Sequence, residues 1–469
     1  MSPHSTARTV QAQRQILAGT FVHSKSRAEL EYLHNSVVCV DEDGIIVKVR
    51  RDCGGNVAQA VEELRDQLGW AGQNVAIHTC QEGQFFFPGF VDTHIHASQY
   101  PNVGLFGKTT LLSWLETYTF PLESSLKDLA KAEKVYSACI RRTLAHGTTT
   151  AAYYATIDVE ATNLLVDLCL SLGQRAFVGR VCMDNPDLCP DYYRDESAEE
   201  GLRKTELTVA HVEKRDPGFS LVSPIVTPRF APSCTPQSLS ALGRLAGTKD
   251  LPIQTHVSEN EGEIALVRSQ FPDHESYAHV YDGHGLLTPR TVLAHAVHLT
   301  EAEAALLRQR GAKVSHCPCS NSSLSSGVAR VRWLWEKGLD VGLGTDVSGG
   351  YSPSMLESAR QAVLVSRHAS LLPSEAEKEP SAKLSVEEVL YLATRGGAVC
   401  LGLGDKVGGF EEGKQLDAQL VGLGSGDSNV DIFGWESWEE RTAKWLYCGD
   451  DRNTSKVWVR GRLVHERSQ

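Results

Sequence analysis

The chain has 469 residues, of which 41% are apolar and 22% are charged, and at about 150 residues per domain this length allows one large domain and a smaller one. Its 46 basic and 58 acidic residues give a formal charge of -12, so the sequence offers no basic field for a nucleic acid or an anionic membrane. We therefore expect a protein that binds neither nucleic acid nor membrane.

Targeting and disulfide patterns are also missing from the sequence. No stretch approaches the ~18 consecutive apolar residues of a membrane helix, and residues 1–20 lack the layout of a signal peptide. The 12 cysteines form no C-x-x-C pair, which argues against zinc ribbons, thioredoxin-type sites and a secreted disulfide framework. We expect a cytoplasmic protein whose cysteines are mostly buried, reduced thiols.

The first clear element along the chain is a β-hairpin. Two β-branched runs, residues 37–40 and 45–49, flank a turn-forming Asp/Gly cluster at residues 41–44. We expect this hairpin to belong to a small β domain whose N-terminal part spans residues 1–87.

In the middle of the chain, short apolar runs alternate with longer helix-like stretches. The helical stretches include residues 126–146, which precede Gly147, and residues 301–310, which precede Gly311. Eight β-then-α units predict a (β/α)8 barrel of the TIM type over residues 88–403, and a doubly wound sheet with fewer units is the alternative. The eight runs are residues 85–96, 148–154, 176–182, 221–230, 253–257, 291–298, 314–317 and 341–346.

Strand-forming sequence returns near the C-terminus. Residues 457–464 repeat the hairpin pattern around Arg460-Gly461, and residues 417–421 supply another candidate strand. We therefore predict that residues 404–469 complete the small β domain, which would be built from both chain ends. Two polar segments, residues 374–382 and 424–430, are interpreted as surface loops.

Metal-binding residue types stand at the ends of five of the eight predicted strands. An H-x-H pair on a strand points both imidazoles to the same side, although two unrelated polar histidines would explain that pair taken alone. Together the five ends favour a metal site, and the mixture of imidazole and carboxylate suits Zn²⁺ or Fe²⁺ better than Ca²⁺ or Mg²⁺. These residues are His94 and His96, His256 with Glu259, His295, His316, and Asp346.

The same residue types are suited to hydrolysis. Three histidines and a carboxylate can hold an ion and leave room for water, whose pKa falls to about 7 when it is bound to zinc. Attack by this water on an electron-poor carbon needs a proton acceptor, and Glu259 lies close to His256 in sequence and at a loop mouth. Without His256 beside it, Glu259 would be interpreted as a solvated residue at the start of a loop.

Several of these motifs resemble those of a known family, the amidohydrolase superfamily of metal-dependent hydrolases. The motifs are residues 88–96 and 256–259, His295, and residues 344–346. Within the superfamily, the chain is similar to the members that deaminate guanine, and the similarity runs from about residue 83 to residue 463. The segments that carry it are residues 96–100, 147–150, 173–179, 224–230, 343–350 and 449–453.

The resemblance implies one zinc ion per subunit, or iron in its place, and a proton shuttle. The shuttle would be Glu259, and His295 would stand beside the attacked carbon, where it can steady the attacking water or the tetrahedral intermediate. Asp346 would also accept a proton from the water. The implied zinc ligands are His94, His96, His256 and Asp346.

The resemblance also implies a substrate. Guanine would react with water to give xanthine and ammonia, in a homodimeric enzyme of purine catabolism. Guanine offers O6 and N7 as acceptors for the fork of Arg229, Phe230 offers a ring surface, and Gln99 would also hold the base. Taken singly, these side chains could instead be an ion-pair arginine, a core phenylalanine and a capping glutamine. The implied substrate contacts are His96, Ala97, Ser98, Gln99, Arg229, Phe230, His256, Glu259 and Asp346.

Two positions depart from the family's pattern. Cys319 stands where the family commonly has Asn, and Ala296 stands where Gly is usual. Cys319 puts in doubt a supporting hydrogen bond that the Asn would make, and Ala296 could crowd the pocket with a methyl group. We interpret His316 as a structural or supporting residue, because four ligands are already assigned, and Cys317 and Cys319 as buried thiols rather than a thiolate metal site.

Other functions would leave different patterns. The H-x-E with P-C-x-x-C of another deaminase class and the H-E-x-x-H of zincin proteases do not occur in the sequence. An amidohydrolase for another aminated heterocycle, of the adenosine, cytosine or triazine type, is an alternative, against which Arg229 and Gln99 favour a keto-purine. A non-catalytic assembly protein of the same fold is a second alternative, which the complete ligand set and Glu259 disfavour.

Overall fold

The computed structural model describes residues 12–108, 110–371, 382–424 and 426–467. Strands β1 to β9 are Gln15–Ser26, Glu29–Val40, Ile46–Arg50, Ala76–Thr79, Gln84–Pro88, Phe90–His96, Thr148–Tyr154, Arg175–Gly179 and Val181–Cys182. Strands β10 to β18 are Val222–Pro224, Thr227–Pro228, Ile253–Val257, Thr291–His295, Lys313–His316, Val341–Leu343, Ala418–Gly422, Thr454–Val459 and Arg462–Glu466.

Helices of very different lengths lie between these strands. Helices α1 to α8 are Val57–Gln67, Leu111–Trp114, Phe120–Ser125, Leu129–Ala145, Val159–Leu172, Ala198–Arg215, Pro236–Lys249 and Glu261–Gln270. Helices α9 to α16 are Tyr277–Gly283, Glu301–Arg310, Pro318–Ser323, Val331–Glu336, Met355–Ala369, Val386–Tyr391, Gly397–Cys400 and Trp438–Cys448. Short 3₁₀ or π turns are Ala97–Asn102, Leu115–Thr119, Ala231–Ser233, Leu392–Gly396 and Asp451–Asn453.

Strands from both ends of the chain form one eight-stranded sheet. Its order is β18-β17-β16-β5-β1-β2-β3, and β4 pairs with β1. The two predicted hairpins are confirmed, since β2 pairs antiparallel with β3 and β17 pairs antiparallel with β18. The strand predicted at residues 417–421 is β16, which pairs with both β5 and β17 and so joins N-terminal to C-terminal strands.

The remaining strands are parallel. They form one sheet with the order β10-β8-β7-β6, a second with the order β12-β13-β14-β15, and a pair, β11 with β9. Each of the eight predicted apolar runs contains at least one strand, and helices lie between most of them. This mixed α/β architecture is consistent with a TIM-type barrel, in which functional groups lie at the C-terminal ends of parallel strands.

The run at residues 85–96, expected as one strand, is two strands in different sheets. β5 pairs with β16 in the eight-stranded sheet, whereas β6 pairs in parallel with β7. The break falls at Gly89, where a Cβ atom would lie only 2.1 Å from Oγ1 of Thr149. The chain therefore passes from one sheet to the other at a point where only glycine fits against β7.

Local helix-end chemistry agrees with the sequence pattern. The predicted helix at residues 301–310 is α10, and its capping box joins Thr300 and Glu303, with Gly311 at φ 71° after its last turn. The helix predicted over residues 126–146 is shorter, since α4 begins after Asp128, whose side chain accepts hydrogen bonds from the first turn. Capping residues therefore mark the start of both helices and the end of α10.

Within the described ranges, no helix is both long and apolar enough to cross a membrane. All twelve cysteines are unpaired, and only Cys448 is exposed. The loop predicted at residues 374–382 lies outside the described residues except for Ala382, and the described part of residues 424–430 is irregular.

Candidate active site

Strands from both four-stranded parallel sheets carry the predicted site residues. β6 ends with His94 and His96, and β12 carries His256 near its end. β13 ends at His295, and Asp346 follows β15 in the next loop. Since the strands of each sheet are parallel, all these side chains lie at strand ends of the same polarity.

The four predicted metal ligands lie close together. Nε2 of His94 and Nε2 of His96 are 3.1 and 3.4 Å from Oδ1 of Asp346. The Nε2 atoms of His96 and His256 are 3.3 Å apart, and the candidate ligand atoms of the three histidines all lie within 4.8 Å of one another. The structure therefore brings residues from three different strand ends, those of β6, β12 and β15, to one point.

The protonation states of this cluster suit a metal ion. Burial lowers the pKa of His94, and burial together with neighbouring imidazoles holds the pKa of His96 and of His256 well below the usual value. Nδ1 of His256 lies 2.6 Å from the carbonyl oxygen of Arg229 and donates to it, which leaves the Nε2 lone pair free to coordinate. Nε2 of His94 is buried without a hydrogen-bond partner in the described chain. This donor set of neutral imidazoles and one carboxylate fits Zn²⁺ or Fe²⁺.

Asp346 stays ionised in this environment. Burial raises its pKa, but the electrostatic interactions of the carboxylate with His94, His295 and His96 outweigh burial, so that the net shift of its pKa is downward. The preceding residue, Thr345, donates from its backbone N and its Oγ1 to the Asp92 carboxylate at 3.0 and 2.5 Å. Asp92, on β6, also accepts from the backbone N of His94 at 3.2 Å. Asp92 therefore ties together the two segments that carry candidate ligands.

Glu259 faces His295 beside the cluster. Oε2 of Glu259 is 3.4 Å from Nε2 of His295, and Oγ of Ser326 donates to Oε1 of Glu259 at 2.9 Å. Burial raises the pKa of Glu259 to about 7. Burial lowers the pKa of His295, but Glu259 and Asp346 outweigh it and raise that pKa overall. A carboxyl with a pKa near neutrality can both accept and return a proton.

One cavity connects the histidine cluster with most of the predicted substrate contacts. His295 and Asp346 line it together with apolar side chains of α2 and the turn after it. Two predicted contacts, Ala97 and Ser98, are buried in the turn after β6 and are not among the lining residues, and Oγ of Ser98 donates to the carbonyl of Ala155 at 3.0 Å. The predicted contacts that line the cavity are His96, Gln99, Arg229, Phe230, His256, Glu259 and Asp346.

The polar wall of this cavity is organised by a buried carboxylate, Glu123. Nη1 and Nη2 of Arg229 donate to its two carboxylate oxygens at 2.8 and 3.2 Å. Nε2 of Gln99 donates to Oε1 at 2.9 Å, and the hydroxyl of Tyr193 donates to Oε2 at 2.6 Å. Arg229 is therefore both an ion-pair arginine and a cavity residue, two interpretations that the sequence left as alternatives.

Sequence reasoning missed several residues of the site. Glu123 stands in a short helix without a motif around it, and Ser326 stands in a polar loop. Asp92 lies inside a recognised motif, two residues before His94, and this place was a usable indication. Asn321 lies two residues after Cys319 in a Ser/Asn-rich segment, and no motif marks it as a partner of His295.

The two departures from the family pattern are accommodated. Oδ1 of Asn321 lies 2.9 Å from Nδ1 of His295, so a hydrogen bond to this imidazole is present although position 319 is cysteine. Cys319 is buried near Ser358, with Sγ 3.8 Å from its Oγ. Ala296 has φ 51°, a left-handed conformation that explains why glycine suits this position, and it is not among the described residues that line the cavity.

The last two residues singled out from the sequence, His316 and Cys317, are both buried. His316 ends β14 and is 1% exposed, and burial lowers its pKa to about 3. A ligand atom of Cys317 lies within 4.8 Å of those of His94 and His295, but burial raises the pKa of its thiol well above the usual value. Cys317 therefore lies beside the cluster as a neutral thiol.

Comparisons with known proteins agree with this geometry. Residues 85–464 match the model of the amidohydrolase family. The chain is 46% identical over 450 residues to a probable guanine deaminase of Schizosaccharomyces pombe, covering 96% of this chain and 83% of that protein. It is 42% identical over 453 residues to human guanine deaminase, covering 96% of each. Among solved structures, it resembles Clostridium acetobutylicum guanine deaminase with guanine bound in the active site, at a TM-score of 0.85 and 31% identity, covering 97% of this chain and 100% of that one. The chain belongs to the amidohydrolase family.

Proposed function

We propose that this chain is a zinc-dependent guanine deaminase, which converts guanine and water to xanthine and ammonia. The observation that carries the proposal is one cavity that is lined both by the histidine–aspartate cluster with Glu259 and by Arg229 with Gln99. The similarity to curated guanine deaminases over most of the chain supports the substrate.

The proposed metal ligands are His94, His96, His256 and Asp346, with Fe²⁺ as the alternative ion. When bound, either ion would lower the pKa of a coordinated water and so supply a nucleophile at neutral pH. Two of these side chains already have the orientation or charge that metal coordination needs. His256 is fixed by the Arg229 carbonyl, and Asp346 stays ionised among the imidazoles.

Glu259 is proposed to move the protons of the reaction. Its carboxylate takes a proton from the attacking water and gives it to the ring nitrogen or to the leaving amine, and its pKa near 7 lets it do both. His295, 3.4 Å from Glu259, is proposed to stabilise the attacking water or the tetrahedral intermediate that forms at the attacked carbon. Asn321 fixes the ring orientation of His295 through Nδ1.

Substrate recognition is proposed to rest on donors that face a keto-purine. Arg229 can only donate hydrogen bonds, and guanine presents O6 and N7 as acceptors. Phe230 lines the same cavity and offers an apolar face for the purine ring. A purine with an amine at position 6 would present a donor to these donors, so an adenine-type substrate fits this wall less well.

The deamination assay tests this proposal. Purified protein is incubated with guanine, adenine, cytosine or a triazine, and ammonia release and the ultraviolet change of the base are followed before and after chelation and zinc addition. We expect turnover of guanine alone, lost on chelation and restored by zinc. Turnover of another base with none of guanine would overturn the substrate, and full activity in metal-free protein would overturn the metal centre.

The fold and assembly expectations form part of the same proposal. We propose that the two parallel sheets close into one (β/α)8 barrel over residues 88–403, with residues 1–87 and 404–469 as a β domain. A bridge between Val226 and Ile253 and a hydrogen bond from the N of Asp346 to the O of His94, 2.8 Å long, support closure at both junctions. The proposed enzyme is a cytoplasmic homodimer, for which sedimentation velocity and cell fractionation are the tests.

A further inference from the structure

Glu123 is a buried carboxylate with an unusual number of partners. It is 1% exposed, lies on α3, and is not among the described residues that line the cavity. It nevertheless accepts four hydrogen bonds, two from Arg229, one from Gln99 and one from Tyr193. Two of these three partners do line the cavity. Glu123 therefore lies behind the cavity wall and contacts two residues that a bound base can reach.

The first controlled residue is Arg229. Its guanidinium is 2% exposed and binds both oxygens of Glu123 in a two-pronged contact. A two-pronged contact fixes the plane of the guanidinium as well as its position, because two parallel N–H bonds must meet two oxygens. The N–H bonds that do not reach Glu123 are therefore aimed in fixed directions, and they can only donate.

The second controlled residue is Gln99, whose amide is held from both ends. Its Nε2 donates to Glu123, while its Oε1 accepts from the backbone N and the Oγ of Ser348 at 3.3 and 3.4 Å. A carboxylate can only accept and a backbone N–H can only donate, so the amide cannot be reversed without losing partners at both ends. The second hydrogen on Nε2 is the group that Gln99 can offer to a bound base.

We propose that Glu123 is the positioning residue for base selection: by fixing Arg229 and Gln99 as donors, it makes the cavity select a keto group over an amine at position 6 of the purine. The inference rests on the proposed function, since it concerns how that site reads its base. Without the carboxylate, only Ser348 still holds the amide of Gln99. Reversal of the amide then loses contacts at one end instead of two, and the reversed amide presents its oxygen, which accepts a hydrogen bond from an amine.

A purely structural role for Glu123 makes a different prediction, and the chain contains a matched pair for comparison. Arg175 and Asp417 form another buried two-pronged pair, with N–O distances of 3.0 and 3.0 Å and exposures of 5% and 1%. This pair joins β8 to the segment before β16, and neither residue lines the cavity. If Glu123 only neutralised a buried arginine, E123Q and D417N would lower stability and leave base selection unchanged.

The test compares guanine with 2,6-diaminopurine, which carries the same amine at position 2 but an amine in place of the keto group at position 6. For E123Q we expect KM for guanine to rise about 10- to 100-fold with kcat changed much less, because a lost charge-assisted hydrogen bond corresponds to roughly that factor. We also expect the preference for guanine over 2,6-diaminopurine in kcat/KM to narrow about tenfold or more. D417N should keep the parent's KM and preference.

Further variants and a metal measurement keep the outcome decisive. Y193F removes one hydrogen bond to Glu123 and leaves the carboxylate, so it should shift KM and selectivity in the same direction but less. E123D keeps the charge but shortens the side chain, so that the carboxylate no longer reaches all of its partners. If E123Q does not fold, E123D replaces it, and KM and selectivity should shift in the same direction. Zinc content should equal that of the parent in all of them. A folded E123Q, E123D or Y193F series with the parent's KM and base preference would overturn the inference, whereas a parent protein that does not turn over guanine would overturn the proposed function instead.

Discussion

The protonation state of one carboxyl, Glu259, decides whether the proposed reaction runs. In E259Q the amide keeps the size of the side chain but cannot accept a proton from water. We expect turnover of guanine to fall by about 10²- to 10⁴-fold, the usual contribution of a general acid–base group. Zinc content and guanine binding, measured by metal analysis and calorimetry, should be unchanged.

Ser326 provides the control for that substitution. Its hydroxyl donates to Oε1 of Glu259, so S326A removes a hydrogen bond but leaves the proton acceptor in place. We expect S326A to lose far less turnover than E259Q. Near-parental turnover in E259Q would rule out Glu259 as the proton shuttle.

His316 makes a separate prediction about stability and pH. Burial lowers its pKa from 6.5 to about 3 in the folded chain, so between pH 6.5 and pH 3 the unfolded state binds a proton that the folded state does not. Stability is therefore lost as pH falls through this window, by about 2 kcal/mol at pH 5. Urea unfolding of the metal-free protein measures the free energy of unfolding at pH 8 and at pH 5. The decrease between these two pH values should be smaller in H316Q than in the parent by about this amount.

An exposed histidine offers the comparison. H368Q replaces a side chain on the surface of α13, and it should keep the parent's pH dependence. If H316Q and the parent lose the same stability between pH 8 and pH 5, the buried imidazole does not cause the loss.

At the scale of single residues, the sequence predicts the candidate metal ligands, because their residue types and spacing are typical of metal binding. His94, His96, His256 and Asp346 stand at strand ends, and parallel strands bring such ends together. Glu123 could not be predicted in the same way, because its partner Arg229 is 106 positions away. Only the folded chain shows that these two side chains meet.

At the scale of elements, the passage from β5 to β6 at Gly89 is the sharpest constraint near the site. A Cβ atom there would lie 2.1, 2.2 and 2.6 Å from three side-chain atoms of Thr149, which is itself 1% exposed. We expect G89A to lower the free energy of unfolding by about 1–3 kcal/mol, as overpacking does. Because β6 carries His94 and His96, zinc affinity should fall as well.

Gly55 is the matched control for this substitution. A Cβ atom at Gly55 meets no heavy atom within 4 Å, so G55A should stay within about 0.5 kcal/mol of the parent in urea unfolding. Equal stability of G89A and G55A would show that β6 can shift without cost.

The elements themselves were largely predictable, but their division among sheets was not. Periodicity located all eight central runs and both terminal hairpins, because apolar alternation and turn residues are local properties. The run at residues 85–96 looks continuous because both of its strands are fully buried, as the residues of β6 and most of β5 show. Which sheet each half joins depends on pairing with β16 and β7, far along the chain.

At the scale of the whole molecule, the eight-stranded sheet and the parallel strands are joined by a buried ion pair. Arg175 on β8 contacts Asp417 before β16, and Asp417 also accepts from the backbone N of Arg460 at 2.7 Å. D417N leaves a buried guanidinium without its counter-charge. We expect it to lower the free energy of unfolding by about 3–5 kcal/mol, measured by urea titration.

A surface pair gives the corresponding control. Lys25 and Glu29 are 58% and 55% exposed, so E29Q should change stability by at most about 0.5 kcal/mol. Similar losses in D417N and E29Q would mean that the buried pair does not hold the two parts of the molecule together.

The central claim is that one cavity holds both the metal and the keto edge of guanine, and a crystal structure of zinc-loaded E259Q with guanine tests it most directly. Diffraction at the zinc absorption edge should give an anomalous-difference peak for a zinc ion coordinated by His94, His96, His256 and Asp346. The guanine O6 should lie within hydrogen-bond distance of Arg229 or Gln99, with the amine-bearing carbon towards the metal. A zinc peak away from these ligands, or guanine with its keto edge turned from Arg229 and Gln99, would contradict the account.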